Sequence, residues 1–218
     1  FYAKGADEPM SAIHEHVLQN GMTLLCWPQR HLHGLEFGLY LKGGPLYETE
    51  ETQGISNLLE HLCFRGLGGL NREGLLRELN RFGTNLDAAT YAEGLVFRLK
   101  CLPRFFDAAL EYFLRFFANV PWTPEQIAAE KQVVLRQLEA DGDGDLFDRA
   151  ACDFRKTENG AFPPLGTPES LMALTEADIQ LWQEMIFQPQ NACLVMTGNF
   201  SDGMELAAIE ALSELRNT

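Results

Sequence analysis

A chain of 218 residues with 46% apolar and 22% charged residues has the balance of an ordinary globular protein with a real core, which excludes a disordered chain. Its formal net charge of −14 excludes a nucleic-acid surface, because binding phosphates takes clustered Lys and Arg, whereas here the acids are spread along the chain as a solvated surface. No apolar run approaches the roughly 18 residues of a membrane span, and the scattered Cys26, Cys63, Cys101, Cys152 and Cys193 form no CxxC pair, which favours a reducing, cytoplasmic setting over a disulfide framework or a thiolate zinc site.

The opening reads as a β-hairpin, with alternation over His14 to Gln19, a two-residue turn at Asn20-Gly21 and an apolar return strand over Met22 to Trp27. A third strand covers Leu35 to Leu41, and Gly43-Gly44-Pro45 ends it ahead of a polar loop over Glu48 to Gln53. Ile55, Leu58, Leu59, Leu62 and Cys63 recur at helical spacing, predicting a helix from Ile55 to Phe64 with one buried face. A second helix runs from about Arg72 to Arg81 and stops at Phe82-Gly83. Residues Asn85 to Leu102 read as two extended segments meeting near Glu93-Gly94.

Pro103 opens a helix through Asn119, the Pro121 to Pro124 stretch breaks it, and a longer helix spans Glu125 to about Ala140. The run Asp141 to Asp145 is a turn or kink, since no Glu follows at calcium-loop spacing. A loop around Asn159 to Pro168 leads to a helix capped by Thr175 and ending near Phe187. Ala192 to Thr197 is the last strand, and Asn199 to Gly203 turns into a terminal helix. Strands and helices without a regular βαβ alternation predict an α+β fold with a mostly antiparallel sheet and helices on one face, as a single domain over residues 1–218.

The stretch that carries chemistry is Gly54 to Gly66. Asn57 and His61 lie four apart on one helix face with Glu60 beside them, the geometry of a ligand pair with an adjacent carboxylate. Taken alone, a Glu-His pair on an amphipathic helix is more often a solvated edge.

The string Asn57-Leu-Leu-Glu60-His61, followed by Phe64-Arg65-Gly66, resembles the inverted zinc motif HxxEH of the insulinase and mitochondrial-processing-peptidase family, except that its first His is an Asn. Further segments resemble the same family in order: Lys42-Gly43-Gly44 with Glu48, Phe82 to Thr90, Pro124 to Glu139, Leu165 to Ser170, Leu174 to Asp178, Gln188 to Asn191 and Val195 to Asn199. Together they span residues 14–212. The resemblance implies one half of a clamshell that handles extended peptides around zinc, with Glu60 in the place of the general base and His61 and Glu130 as metal ligands. Glu125 and Glu139 fit the third ligand less well, as neither precedes the Lys-x-Val-Val pattern; a surface Glu130 paired with Lys131 or Arg136 is the plain alternative. Asp87, Ala88 and Thr90 fall where the family offers a strand edge to its substrate, with Asp87 in an Asn place.

Asn57 bears on catalysis. A carboxamide is a neutral, weak oxygen donor, and a catalytic zinc wants three protein ligands and one open position. Natural loss of catalysis, an altered metal site, and a deliberate substitution all account for it. The first implies a peptide-binding subunit that completes a chamber with an active HxxEH partner, the family's second homologous half. The chain opens on Phe1, so an earlier targeting segment stays open. The pairs His14/His16 and His31/His33 have a spacing that puts both rings on one strand face, but read as exposed or loosely packed histidines at strand ends.

Overall fold

Alternation builds the centre of the sheet. Leu35, Phe37, Leu39 and Leu41 are buried and the residues between them are not, so β3 (Leu35–Lys42) turns one face to a core. The structure, a computed structural model, describes residues 13–140 and 162–216. Flanking β3 are β7 (Gly94–Cys101) and β8 (Ala192–Gly198), both antiparallel to it and both with the same alternation. Next to β8 lies β2 (Thr23–Pro28), parallel to it, and β1 (His14–Val17), antiparallel to β2, forms the edge among the described residues. The opposite edge is β6 (Leu86–Tyr91), so the order is β1-β2-β8-β3-β7-β6.

The buried face of the sheet is covered by helices α1 (Ile55–Cys63), α2 (Arg72–Phe82), α3 (Phe106–Leu114), α4 (Pro124–Ala140), α5 (Pro168–Ala173), α6 (Glu176–Ile186) and α7 (Asp202–Ser213). Helix α3 lies on β3 and β7, while α1 packs against β6, α4 and α6. Of the side chains that point the other way from the sheet, Val17, Trp27, Tyr91 and Arg98 are exposed, while others such as Tyr40 and Val195 are half-buried. The architecture is therefore α+β with a mostly antiparallel sheet and helices on one face.

Several local expectations need correction. Asn20-Gly21 does not make a two-residue turn: Val17 pairs with Thr23, Gly21 N–H donates to Leu18 O at 2.9 Å, and Leu18 N–H donates to Met22 O at 2.8 Å. The loop is thus three residues long, with Gly21 in the left-handed conformation (φ +85°) that such loops require. The 103–119 segment is a 3-10 turn, then α3, then a 3-10 turn that ends with Asn119 at φ +46°. Two elements went unread: the small hairpin β4 (Gly66–Leu67) and β5 (Leu70–Asn71), and α5, which begins at a capping box between Thr167 and Ser170. The Asp141 to Asp145 run lies outside the described residues. Cys26, Cys63, Cys101 and Cys193 are free thiols.

Helix α1 is held at its N-terminus by parts from far along the chain. Its N-cap residue, Gly54, has no side chain to offer, and Glu48 takes that role: its carboxylate accepts from Gly54 N–H at 2.8 Å and Ser56 N–H at 3.0 Å. Gly54 (φ +85°) and Gly166 (φ +68°) pass so closely that a Cβ on either would meet backbone of the other segment at 2.7 and 2.5 Å. Ser170 Oγ donates to Gln53 O, and Trp182 Nε1 donates to Ser56 Oγ at 3.2 Å. The Leu165 to Ser170 segment and α6 are thereby buttresses of the motif helix.

Burial pushes the Glu48 carboxyl above its ordinary value of 4.5, and the Gly54 and Ser56 hydrogen bonds offset this only in part. A raised folded-state value means the folded protein holds this proton more tightly than the unfolded chain. Its contribution to stability is full below the unfolded value and fades as pH rises through the folded one. Removing both acceptors in Glu48→Ala is expected to cost about 1–3 kcal/mol at neutral pH. In Glu48→Gln, stability measured by denaturant titration should gain on the parent as pH climbs upward from 4.5.

Candidate metal and peptide site

Residues four apart on α1 present Asn57 and His61 on one face, and α4 crosses it with Glu130. The start of α4 is anchored by Trp122, whose Nε1 donates to Gly66 O at 2.8 Å just past the end of α1. His61 Nδ1 lies 3.4 Å from Glu130 Oε2. That is close to the ligand–ligand spacing of about 3.3 Å implied by metal–ligand bonds of 2.0–2.1 Å at a tetrahedral centre. Glu130 is buried and His61 partly so, so the pair sits at the rim of the core rather than in open solvent.

Glu130 has a second partner. Arg65, at the Phe64-Arg65-Gly66 end of the motif, gives its Nε–H to Glu130 Oε1. Lys131 instead donates to Leu174 O, and Arg136 caps its own helix turn at Gln132 O. Burial works against the charge on Glu130, but the hydrogen bonds and positive charge supplied by His61 and Arg65 outweigh it and hold its carboxyl below the usual carboxylate range. Glu130 is thus a committed anion whose charge is already balanced by a guanidinium.

Asn57 is 9% exposed, and its Oδ1 is buried without a hydrogen-bond partner. An orphaned buried acceptor is costly, and it stands where the resemblance puts a zinc-binding imidazole. The residues in the three ligand places offer one imidazole, one carboxylate shared with Arg65, and one carboxamide. That set does not fit a catalytic zinc, which takes three strong protein donors and an open position.

Glu60 is tied elsewhere. Its Oε2 accepts from Thr90 Oγ1 at 2.5 Å, which fastens edge strand β6 to the motif helix. Along β6, Ala88 and Thr90 point toward the helices, while Asp87 points to the open face, where it pairs with Arg98 at 3.2 Å. The three residues proposed from sequence to hold a peptide therefore lie on one edge but on both faces of it. The participation of Arg65 was missed: it lies just past the C-terminal end of α1, where helical spacing no longer fixes which way a side chain points.

Residues 33–151 match the sequence profile of the insulinase family, peptidase family M16. An uncharacterized zinc protease of Rickettsia felis is 26% identical over 198 residues, covering 89% of this chain and 48% of that protein. Among solved structures, a protease from Helicobacter pylori superposes with a TM-score of 0.87 at 21% identity, covering 95% of this chain and 51% of that one. A domain from Pseudomonas fluorescens described as an inactive peptidase M16 domain superposes with a TM-score of 0.83 at 16% identity, covering 94% and 51%. At such identities the structural likeness speaks for the fold alone. The chain spans about half the length of the curated relatives it matches. Since the profile match runs over more than half of its residues, the chain belongs to the insulinase family of peptidases, M16.

Proposed function

We propose that this chain is a peptide-handling M16 domain in which catalysis at α1 is lost or severely weakened, so that it binds extended peptides without turning them over. The observation that carries the reading is Asn57: its Oδ1 is buried and unpartnered at the first ligand position, while the Glu130 carboxylate is neutralised by Arg65. Zinc, the metal named for the relatives, would find His61 and Glu130 as donors here and no strong third one.

Peptide capture falls to β6. Among the described residues it is a sheet edge, with no strand paired to its outer row of backbone groups, and the Thr90–Glu60 hydrogen bond sets that edge beside the motif helix. An extended peptide adding to β6 would run past Glu60 and His61. The chamber would be completed by a homologous second half, a reading supported by relatives twice as long and by exposed Trp27 and Val17 on the uncovered sheet face.

The test uses a dye-labelled unstructured peptide and two analogues N-methylated at alternate residues. Strand addition predicts that one methylation register weakens binding at least about tenfold, each lost backbone hydrogen bond contributing on the order of 1 kcal/mol, while the other register has a much smaller effect. Equal binding of all three peptides would contradict capture at a strand edge.

A further inference from the structure

The histidines of β1 are not loosely placed. His14 and His16 sit two apart, so both rings fall on the helix-covered face of the sheet, where α7 delivers Glu205. His14 Nδ1 is 2.9 and 3.1 Å from the two Glu205 oxygens, and His16 Nε2 is 2.7 Å from Oε1. Glu205 is only 8% exposed, and both imidazoles stand within hydrogen-bond reach of its carboxylate. His31 and His33, by contrast, are exposed in the turn before β3.

These three side chains are the one group of three or more His, Cys, Asp or Glu residues, among those described, whose donor atoms all lie within 4.8 Å of one another. We propose that His14, His16 and Glu205 form a divalent transition-metal site separate from α1, one that clips the edge strand β1 to helix α7. Two imidazoles and a carboxylate are the donor set favoured by zinc and its neighbours over calcium or magnesium. Opening the present contacts of 2.7–2.9 Å by about half an ångström reaches the spacing of ligands on a tetrahedral ion. The rings meet nearly edge to face, at 81°, and His14 is exposed enough to leave the fourth position to water. Neither residue of the α1 pair takes part, since His61 and Glu130 lie outside the group.

The ion would act on architecture. Among the described residues β1 ends the sheet, pairs only with β2 and has four residues, so a bond to α7 adds a constraint that the ladder alone does not supply. The experiment is titration of the purified, chelator-stripped protein with cobalt(II), followed by visible absorption and by the thermal midpoint. The expected result is one equivalent bound with four- or five-coordinate absorption and a raised midpoint. Binding should survive His61→Ala and disappear in His16→Ala and Glu205→Gln. Should Glu205→Gln fail to fold by circular dichroism, His14→Gln, on the exposed side of the cluster, carries the same comparison. No stoichiometric binding, or binding that persists in both His14→Gln and His16→Ala, overturns the site. Binding lost in His61→Ala would assign the ion to α1 and overturn it as well, along with the reading that α1 holds metal poorly.

Discussion

Replacing Asn57 by histidine is expected to raise zinc affinity at α1 by on the order of a hundredfold or more. Loss of a mere supporting partner of a metal ligand already costs about 10–100-fold, and the substitution restores a ligand itself. The geometry for it exists: His61 Nδ1 and Glu130 Oε2 stand 3.4 Å apart, and position 57 lies one helical turn before His61 on the same face. The imidazole would replace a carboxamide whose oxygen has no partner at present. Arg65 must release part of the Glu130 carboxylate, which lowers the gain but does not cancel it, since the guanidinium can hold one oxygen and the ion the other. The titration belongs in a Glu205→Gln background, so that only α1 is counted. Unchanged affinity in Asn57→His would show that something other than residue 57 limits the site.

The largest expected loss of stability from one side chain is that of Phe116→Ala, about 3–5 kcal/mol. Phe116 is fully buried at the point where three parts of the fold meet. Its ring lies 4.5 Å from Phe97 on β7, 6.0 Å from Phe113 on α3 and 5.7 Å from Phe187 at the end of α6. Truncation leaves a cavity walled by aromatic rings, which cannot collapse without moving a strand and two helices. Chemical denaturation of parent and variant measures the difference directly. A loss under about 1 kcal/mol would mean that these rings repack freely.

What was legible in the sequence was whatever local periodicity dictates. The alternation of Leu95, Phe97 and Leu99 marked β7, the three-four spacing of Ile55 to Cys63 marked α1, and Thr175 marked the start of α6 as its cap, which in the structure is half of a capping box with Asp178. Short elements were not legible, because two-residue strands such as β4 and β5 have no period, and α5 has six residues. Nor was the hairpin loop, where Asn20-Gly21 fits two turn types and the strand register decides between them.

At the candidate site, Asn57, Glu60 and His61 could be grouped from helix spacing alone, whereas the partners they meet could not. Thr90 reaches Glu60 from 30 residues away and Arg65 reaches Glu130 from 65, contacts created by packing of α1 against β6 and α4. Likewise nothing near His14 or His16 announces Glu205, which lies 191 and 189 residues on. The two histidines carried the spacing of a metal pair, but the carboxylate that gives them a common target is supplied by the tertiary fold.

The central claim, a peptide-binding M16 domain that does not turn peptides over, is tested most directly by incubating the zinc-supplied protein with an unstructured peptide and following the peptide by mass spectrometry. The account predicts an intact peptide that co-elutes with the protein. Chelator-sensitive cleavage of many peptides per chain, with Asn57 in place, would contradict it.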